Sequence, residues 1–409
     1  MKRWMAWLAL AACLFTPAAH AQVTAAGTRN LKPRYLVAFK QGMAAADKTA
    51  VLEQMGLTAA DSVDELGALV AEGQAGKFAP SAAARLQNDP SVAWVEEDKY
   101  WPNLLVDMPA SFAELPLPQL HEIMAELPKV ERPDATDGEQ PWGIRKVNAP
   151  AAWAKTQGQG VRVAVIDTGI DFKHPDLAAN YAGGYNALDS NKPPMDDNGH
   201  GTHVSGTIAA VKDGKGVVGV APKARLYAVK VLDKDGGGSL VSIVKGLIWC
   251  GKNNIQVANM SLGAPIGTVF MHWAIMYATS KGVTVVAAAG NEGGALGYPG
   301  AYPEVIAVSA VDARGKIAEW SSRGKQVAFA APGVDVLSDW PGGGLSTLSG
   351  TSMATPHVTG LAALAVSEGA ATPAQVRSAL TAAAEKLDGL SANEQGSGVI
   401  NAGKLIRKR

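Results

Sequence analysis

Cysteine is almost absent from this chain of 409 residues, which contains only Cys13 and Cys250. A scaffold stapled by several disulfides is therefore excluded. An excess of charge of one sign is lacking as well, because 37 Lys and Arg residues balance 37 Asp and Glu residues. A net charge of zero provides no broad basic surface, so we expect neither nucleic acid nor an anionic membrane as a partner. The length and the 47% hydrophobic content allow a large globular core and an accessory domain.

The N-terminus lacks an apolar run long enough to span a membrane, since its apolar stretch covers only Trp4 to Phe15. Lys2 and Arg3 precede this stretch, and the sequence AHA follows it at 19–21. This order of charged, apolar and small residues is typical of a secretory signal peptide. The sequence therefore predicts a signal peptide over 1–21 and export to the periplasm or the medium.

Two other interpretations of the N-terminus remain open. The stretch could form a buried helix, and the sequence LAAC ending at Cys13 resembles a lipoprotein cleavage site. If the signal is removed after Ala21, Cys250 is the only cysteine left. Stability must then come from the core or from bound ions rather than from disulfides.

Residues 33–100 show the pattern of a small α+β domain. Strand-like segments alternate with helical ones. The predicted strands are 34–40, 66–72 and 91–100, and the predicted helices are about 44–55 and 80–88. Residues 101–138 then contain six prolines and many acidic groups, which is typical of an exposed connector. Four apolar residues from Leu120 to Leu127 recur at helical spacing within it, so a short docking helix is expected there.

The remainder, 139–409, has the pattern of an α/β domain. Short and nearly continuous apolar segments alternate with helical ones, and they cover 162–167, 225–232, 255–262, 283–290 and 305–311. Such strands are buried on both faces, which predicts a doubly wound, mostly parallel sheet flanked by helices. Asp167, Ser261 and Asn291 fall at the carboxyl ends of three of these strands, where ligands bind in such sheets.

Three short glycine-bracketed motifs carry the residues of a nucleophilic site. They are VAVIDTGI with Asp167, NGHGTHVSG with His200, and SGTSMATPHVTG with Ser352. A serine hydroxyl is nearly inert at neutral pH unless an imidazole accepts its proton, and a carboxylate must fix the tautomer of that imidazole. Glycines beside these groups let a substrate backbone approach closely. The set therefore predicts acyl transfer by a serine nucleophile.

These motifs, in the chain order Asp, His, Ser, resemble those of the subtilisin-like serine proteases. The resemblance implies Asp167, His200 and Ser352 as the triad, and Asn291 in AAAGNEG as the amide that stabilises the oxyanion. It also implies that His203 supports its helix from within. Two histidines one turn apart could instead hold zinc, but no Glu follows His200 as a zinc protease helix requires.

The resemblance extends to the N-terminal domain and to the substrate cleft. RYLVAFK and VEEDKY resemble a ferredoxin-like propeptide that assists folding and inhibits the active cleft, which leaves the maturation cut between about 101 and 139. Two segments are expected to bind an extended peptide as an added strand. Their residues are Ser261, Leu262 and Gly263, and Gly236, Gly237 and Gly238. Gly297, with Ala288, Ala289 and Gly290, is expected to form a pocket for large apolar side chains, and Glu292 near its mouth could admit Lys or Arg weakly.

Calcium is the one cofactor that the resemblance implies, and no organic cofactor is expected. Asp176 in HPDL and Asp213 in VKDGKGV match positions where relatives bind calcium, and the carbonyls of Val211, Lys215 and Val217 would complete an oxygen cage. No residue at 138–140 clearly matches the ligand that the N-terminus supplies in relatives.

Three rival functions compete with a monomeric endopeptidase acting on proteins or peptides. An inactive relative used for binding would lack one of the four catalytic residues, and none is replaced. A nucleotide-binding domain would carry G-x-G-x-x-G after its first strand, where this chain has VIDTGIDFKHP. An esterase would use the same chemistry and is distinguished only by assays on ester and peptide substrates.

Overall fold

The computed structural model describes residues 33–73, 82–105 and 139–406. The predicted signal peptide and the connector after residue 105, including its predicted docking helix, lie outside these ranges. Within them no helix is both long enough and apolar enough to cross a lipid bilayer.

The N-terminal domain is a four-stranded antiparallel sheet with two helices. Its elements are β1 Arg34–Phe39, α1 Ala45–Gln54, β2 Leu57–Val63, β3 Ala68–Gly73, α2 Ala82–Gln87 and β4 Val92–Glu97. The strands lie in the order β2-β3-β1-β4, and a core that includes Val37, Leu52 and Leu86 packs between the sheet and the helices. β2 was not predicted from the sequence. It is an edge strand whose five central residues are exposed, so its sequence LTAADSV carries no apolar alternation.

The larger domain contains the remaining elements. Its strands are β6 Arg162–Asp167, β7 Tyr181–Asn186, β8 Arg225–Lys230, β9 Gly238–Ser239, β10 Val257–Met260, β11 Thr284–Ala288, β12 Ile306–Val311, β13 Val327–Pro332, β14 Val336–Trp340, β15 Gly344–Leu348, β16 Ala384–Glu385 and β17 Val399–Ile400, with β5 Tyr100–Trp101 paired to β9. Its helices are α3 Trp142–Lys146, α4 Pro150–Trp153, α5 His200–Ala209, α6 Leu240–Lys252, α7 Val269–Ser280, α8 Thr351–Ser367, α9 Pro373–Ala383, α10 Ala392–Gln395 and α11 Ala402–Leu405.

Seven of these strands form one parallel sheet in the order β13-β12-β11-β10-β6-β8-β7. Its central strands are buried along almost their whole length, as their runs of Val, Ile and Ala predict. Helices cover both faces. The core on one face includes α5 and α8, and the core on the other includes α6 and α7. The predicted fold class is confirmed.

The order of the strands determines where a ligand can bind. After β6 the chain first forms β7 at the edge of the sheet and then β8 between β7 and β6, and it next places β10 on the other side of β6. The crevice at the carboxyl ends of β6 and β10 is therefore the topological switch point of the sheet. Asp167 ends β6, Ser261 directly follows β10, and Asn291 follows β11, the next strand along. The fold thus brings these three residues to one edge of the sheet.

Candidate active site

A carboxylate and an imidazole meet at this edge. Asp167 is fully buried at the end of β6, and its Oδ1 lies 2.7 Å from Nδ1 of His200, the first residue of α5. The Thr168 N–H donates to the same oxygen at 2.7 Å. Burial raises the pKa of the Asp167 carboxyl, and the His200 imidazole opposes this rise. The contact fixes the tautomer of the imidazole, because its Nδ1–H faces an oxygen that can only accept when ionised.

The turn before His200 is held by a second buried carboxylate, Asp196. Its Oδ1 accepts hydrogen bonds from Thr168 Oγ1 at 2.8 Å and from the Gly199 N–H at 2.9 Å. Its Oδ2 accepts from Thr202 N at 2.9 Å and from Thr202 Oγ1 at 2.6 Å. Asp196 therefore joins the end of β6 to the first turn of α5. Sequence reasoning missed this residue, although its place four positions before His200 in DDNGHG was a usable signal.

Ser352 lies in the first turn of α8, which packs against α5. Its side chain is fully buried, and its Oγ donates to the Ser261 carbonyl at 3.2 Å. Ser261 Oγ in turn donates to the Ser352 carbonyl at 2.7 Å. Asn259 continues this contact, because its Nδ2 donates to Ser261 Oγ and its Oδ1 accepts from Thr359 Oγ1 on α8. A closed set of buried hydrogen bonds thus anchors the serine to β10.

Asn291 is fixed beside Ser352 by Thr351. The backbone N–H of Thr351 donates to Asn291 Oδ1 at 2.9 Å, and Thr351 Oγ1 donates to the same atom at 2.8 Å. The Gly290 N–H completes the arrangement by donating to Thr351 Oγ1 at 3.2 Å. Since the amide oxygen is used in this way, the donor end of the amide is oriented by Thr351 as well.

The chain's own segment 100–105 lies in the cleft as an added strand. Tyr100 and Trp101 pair antiparallel with Ser239 and Gly238. The Leu104 N–H then donates to the Gly236 carbonyl at 3.1 Å, and the Leu104 carbonyl accepts from the Gly263 N–H at 2.9 Å. The two predicted substrate segments therefore do lie on opposite sides of an extended peptide. Residues 101–105 were expected in an exposed connector, whereas Leu104 is fully buried.

The close approach explains the glycines of this cleft. A Cβ added at Gly237 would lie 2.3 Å from the Tyr100 hydroxyl and 2.9 Å from the Trp101 carbonyl oxygen. Gly236 also has φ of +76°, a conformation that side-chain-bearing residues rarely adopt. A larger residue at either position would push the bound strand away from the sheet.

The N-terminal domain is held over the cleft by two acidic residues that bind helix N-termini. Asp98 Oδ1 accepts from the Val241 N–H at 2.8 Å in the first turn of α6, and Glu96 Oε2 accepts from the Phe270 N–H at 3.1 Å in the first turn of α7. Both carboxylates complement the positive end of a helix. Lys245 and Lys252 add ion pairs to Asp61 and Glu65.

Comparison with known proteins decides the family. The sequence matches the profile of the subtilase family over residues 158–398 and that of the fervidolysin N-terminal prodomain over residues 17–98. This chain belongs to the subtilase family. It is a subtilisin-like serine endopeptidase with an N-terminal propeptide.

Three relatives show how far the similarity extends. Subtilisin E of Bacillus subtilis is 39% identical over 412 residues, covering 98% of this chain and 97% of the relative. An alkaline protease of Alkalihalobacillus alcalophilus is 37% identical and covers 100% of both chains. Subtilisin Savinase of Lederbergia lenta is 48% identical over 270 residues, which cover 65% of this chain and 98% of the relative.

The residues of the expected side-chain pocket also lie together. The Gly297 N–H donates to the Ala289 carbonyl at 3.0 Å, and Ala288 and Ala289 are buried. Glu292 is exposed, and its Oε2 accepts from Ser322 Oγ at 3.2 Å. These small residues and Glu292 therefore lie near one another, and their role as a pocket for substrate side chains stays a prediction.

The two other histidines near the subtilase site have structural contacts. His203 is fully buried, and its Nε2 lies 3.0 Å and 3.1 Å from the carbonyl oxygens of Val336 and Ser346. His357 is also fully buried on α8, and its Nδ1 contacts the Met353 carbonyl at 2.9 Å. Burial lowers the pKa of His357 to about 4, so its imidazole is neutral at physiological pH.

The loop 211–217 was expected to bind calcium, and it is surrounded by carboxylates. Asp176 Oδ2 accepts from the Val217 N–H at 3.1 Å, and Asp213 Oδ1 accepts from the Lys215 N–H at 3.0 Å. Glu139 Oε2 accepts from the Gly214 N–H at 2.7 Å. Glu139 therefore supplies an N-terminal carboxylate to this loop, a contribution that the sequence did not reveal.

Proposed function

We propose that this subtilase cleaves peptide bonds in extended or unfolded proteins through an acyl-enzyme formed on Ser352. The observation that carries the proposal is the 2.7 Å contact between Asp167 and His200, placed beside a cleft that binds an extended peptide as a strand. Main-chain hydrogen bonds of this kind give affinity that is independent of side-chain sequence. The geometry therefore favours an endopeptidase with broad specificity.

In the proposed reaction His200 acts as the general base. A neutral imidazole that donates from Nδ1 to Asp167 keeps a lone pair on Nε2, which accepts the Ser352 proton as Oγ attacks the scissile carbonyl. His200 then returns this proton to the leaving amine. Water repeats the sequence on the acyl-enzyme and releases the second product. Asp167 orients the imidazole throughout and stabilises the imidazolium.

The oxyanion formed by this attack is stabilised by two donors in our proposal, Asn291 Nδ2 and the Ser352 backbone N–H. The N-terminus of α8 adds positive potential at the same place. Thr351 supports the assignment, because it holds Asn291 Oδ1 with two hydrogen bonds and thereby sets the direction of the Nδ2 donors.

The experiment that tests the proposal is the substitution Asn291→Ala. We expect kcat on a peptide para-nitroanilide to fall by about 10²–10³ with KM nearly unchanged, because the lost donor acts mainly in the transition state; the magnitude is the one known for the oxyanion amide of subtilisin. Thr351→Ser serves as the matched control, since it keeps the hydroxyl that binds Asn291. Turnover of the Asn291→Ala variant near that of the unsubstituted enzyme would refute the oxyanion assignment.

We also propose that the N-terminal domain inhibits its own enzyme until it is removed. The segment 100–105 occupies the strand position that a substrate would take, and Asp98 and Glu96 hold the domain on α6 and α7. Export through a signal peptide at 1–21 and the absence of a lipid at Cys13 remain predictions from the sequence. Mass spectrometry of the N-terminus of the exported protein reports all three events: removal of the signal peptide, lipidation at Cys13 and removal of the propeptide.

Calcium bound at the loop 211–217 completes the proposal. Carboxylate and carbonyl oxygens are the ligands that calcium prefers, and Asp176, Asp213 and Glu139 all lie at this loop. With calcium bound, the loop would be held by Glu139 against the N-terminal end of the mature domain. The type of ligand therefore suits the ion. Binding would require the loop to bring the three carboxylates closer together, because they do not form a group within 4.8 Å of one another among the described residues.

Removal of calcium by a chelator is expected to lower the melting temperature. At free calcium about 100-fold above its dissociation constant, binding stabilises the folded state by about 2.7 kcal/mol. The measurement uses the Ser352→Ala precursor, in which autolysis does not interfere, and compares it with the same chain carrying Asp213→Asn. A melting temperature that is independent of calcium in the first chain would show that this loop binds no ion.

A further inference from the structure

Three side chains that can bind a metal ion meet beside α5, and they have no part in the proposed reaction. They are His174, Asp176 and Asp339, each of which is at most 5% exposed. One ligand atom from each lies within 4.8 Å of the others, the only such group of three found in 33–73, 82–105 and 139–406. His174 and Asp176 precede β7, whereas Asp339 comes from β14.

Asp339 is the unusual member of this group. It is 0% exposed, and neither carboxylate oxygen has a hydrogen-bond donor among the described residues. Its surroundings offer a second carboxylate, Asp176, and Nδ1 of His174 at 3.8 Å from its Oδ1. On another side lies Gly206 of α5, where an added Cβ would come within 2.7 Å of Asp339 Oδ2. A buried carboxylate without a donor is strongly unfavourable, so this group needs a cation or a proton as its partner.

The lone pair of His174 is on Nδ1, the ring nitrogen that lies 3.8 Å from Asp339 Oδ1. Its Nε2 lies 3.0 Å from the Gly344 carbonyl, which can only accept, so Nε2 carries the hydrogen and Nδ1 does not. The Asp176 N–H donates to Nδ1 at 3.2 Å, a hydrogen bond that a bound ion would replace. A metal-binding histidine is usually oriented by such a hydrogen bond from its other ring nitrogen to a carbonyl. The imidazole is therefore already in the tautomer that binds a metal.

We propose that His174 Nδ1 and the carboxylates of Asp176 and Asp339 bind a divalent transition metal ion of the zinc type. Zinc binds nitrogen and oxygen ligands at about 2.0–2.2 Å in a tetrahedral arrangement, so two of its ligands lie about 3.5 Å apart. His174 Nδ1 and Asp339 Oδ1 are 3.8 Å apart, so these two side chains need to move only slightly to bind the ion. An imidazole ligand favours zinc over calcium, which takes oxygen ligands only. This group shares Asp176 with the loop 211–217, whose Val217 N–H donates to Asp176 Oδ2, but it uses neither Asp213 nor Glu139.

The bound ion would join three parts of the structure that carry the active site. Asp339 follows Ser338, whose Oγ donates to the His203 carbonyl of α5 at 2.7 Å. His174 contacts β15 through Gly344, and β15 leads directly into the turn before Ser352. The ion would therefore stabilise the hairpin of β14 and β15 against the helix that begins with His200.

The test measures zinc in the full-length precursor carrying Ser352→Ala, which is not degraded by autolysis. Because the three ligands are buried, the protein is produced in medium with added zinc, desalted and analysed by elemental mass spectrometry. We expect about one zinc ion per chain. Adding Asp339→Asn, which keeps the shape of the side chain, is expected to weaken zinc affinity by about 100-fold or more, since even outer-shell partners contribute ~10–100-fold.

Asp213→Asn is the matched control, because it alters the neighbouring calcium loop but none of the three ligands. It should retain zinc and lose stabilisation by calcium, whereas Asp339→Asn should lose zinc and retain stabilisation by calcium. If Asp339→Asn does not fold, Co²⁺ replaces zinc in the chain that keeps Asp339, where nitrogen ligation in a tetrahedral site gives visible absorption. Two results would overturn the proposal. One is less than about a tenth of an equivalent of metal with no cobalt spectrum, and the other is a zinc affinity that Asp339→Asn leaves unchanged. Either result would mean that the two carboxylates share a proton instead.

Discussion

Replacing Ser352 with alanine is expected to lower kcat by about a million-fold, the effect that the equivalent change has in subtilisin. The methyl group cannot attack a carbonyl, so only the oxyanion donors and the binding cleft remain. We expect normal folding, because among the described residues Ser352 Oγ makes a single hydrogen bond, to the Ser261 carbonyl, and the backbone contacts of Ser352 remain. The precursor should therefore accumulate with its N-terminal domain attached.

The propeptide of this variant is first cleaved off by a trace of tagged, unsubstituted enzyme. That enzyme is then removed through its tag, and the turnover of the variant is measured. Ser349→Ala, in the turn before α8, is the control and should retain turnover within a few-fold, since the hydrogen bonds of the Ser349 hydroxyl within the described part of the chain are to Asp335. Phenylmethylsulfonyl fluoride should modify Ser352 in the unsubstituted enzyme, and the mass of the labelled peptide locates the adduct. Residual kcat above about a thousandth of the unsubstituted value would mean that another group is the nucleophile.

Asp167→Asn is expected to lower kcat by about 10⁴ and to leave KM within a few-fold. An amide beside His200 Nδ1 no longer fixes the productive tautomer or stabilises the imidazolium, and the same change in a serine protease of unrelated fold has this magnitude. Stability should fall by about 1–3 kcal/mol, because Asp167 Oδ2 has no hydrogen-bond partner among the described residues and an amide N–H placed there would be buried without an acceptor.

Asp171→Asn separates the two effects, because Asp171 is buried nearby and does not contact His200. Its carboxylate accepts from the N–H groups of Lys173 and Gly342, so an amide loses one of these bonds. This control should lower the melting temperature and leave kcat per folded molecule unchanged. Equal losses of kcat in both variants would show that Asp167 acts only through folding.

The fold was largely predictable from the sequence because its core strands are short and apolar. The segment 162–167 could be assigned as a strand of a parallel sheet, since every residue of β6 after Arg162 is buried. β7 was not predicted, because its sequence YAGGYN is rich in glycine and mostly half-buried at the edge of the sheet. Edge strands depend on pairing with a neighbour more than on their own composition.

The site was predictable where a motif places the reactive group next to its own scaffold. Asp167, His200, Asn291 and Ser352 each lie in a local signature, so the family resemblance identified them as candidates. Asp196, although it stands close to His200 in the chain, and Glu139 were not identified. Each is an acidic residue whose role depends on which backbone N–H groups the fold turns toward it.

The sequence by itself determined the chemistry that this subtilase can perform, because reactive groups and their flanking glycines are properties of short segments. Only the tertiary structure decided which distant segments share a contact. It placed Leu104 of a supposed connector between Gly236 and Gly263, and it brought Asp339 to His174 and Asp176. The physical reason is that burial and hydrogen bonding depend on neighbours supplied by other elements, and these neighbours are fixed only when the sheet and its helices pack together.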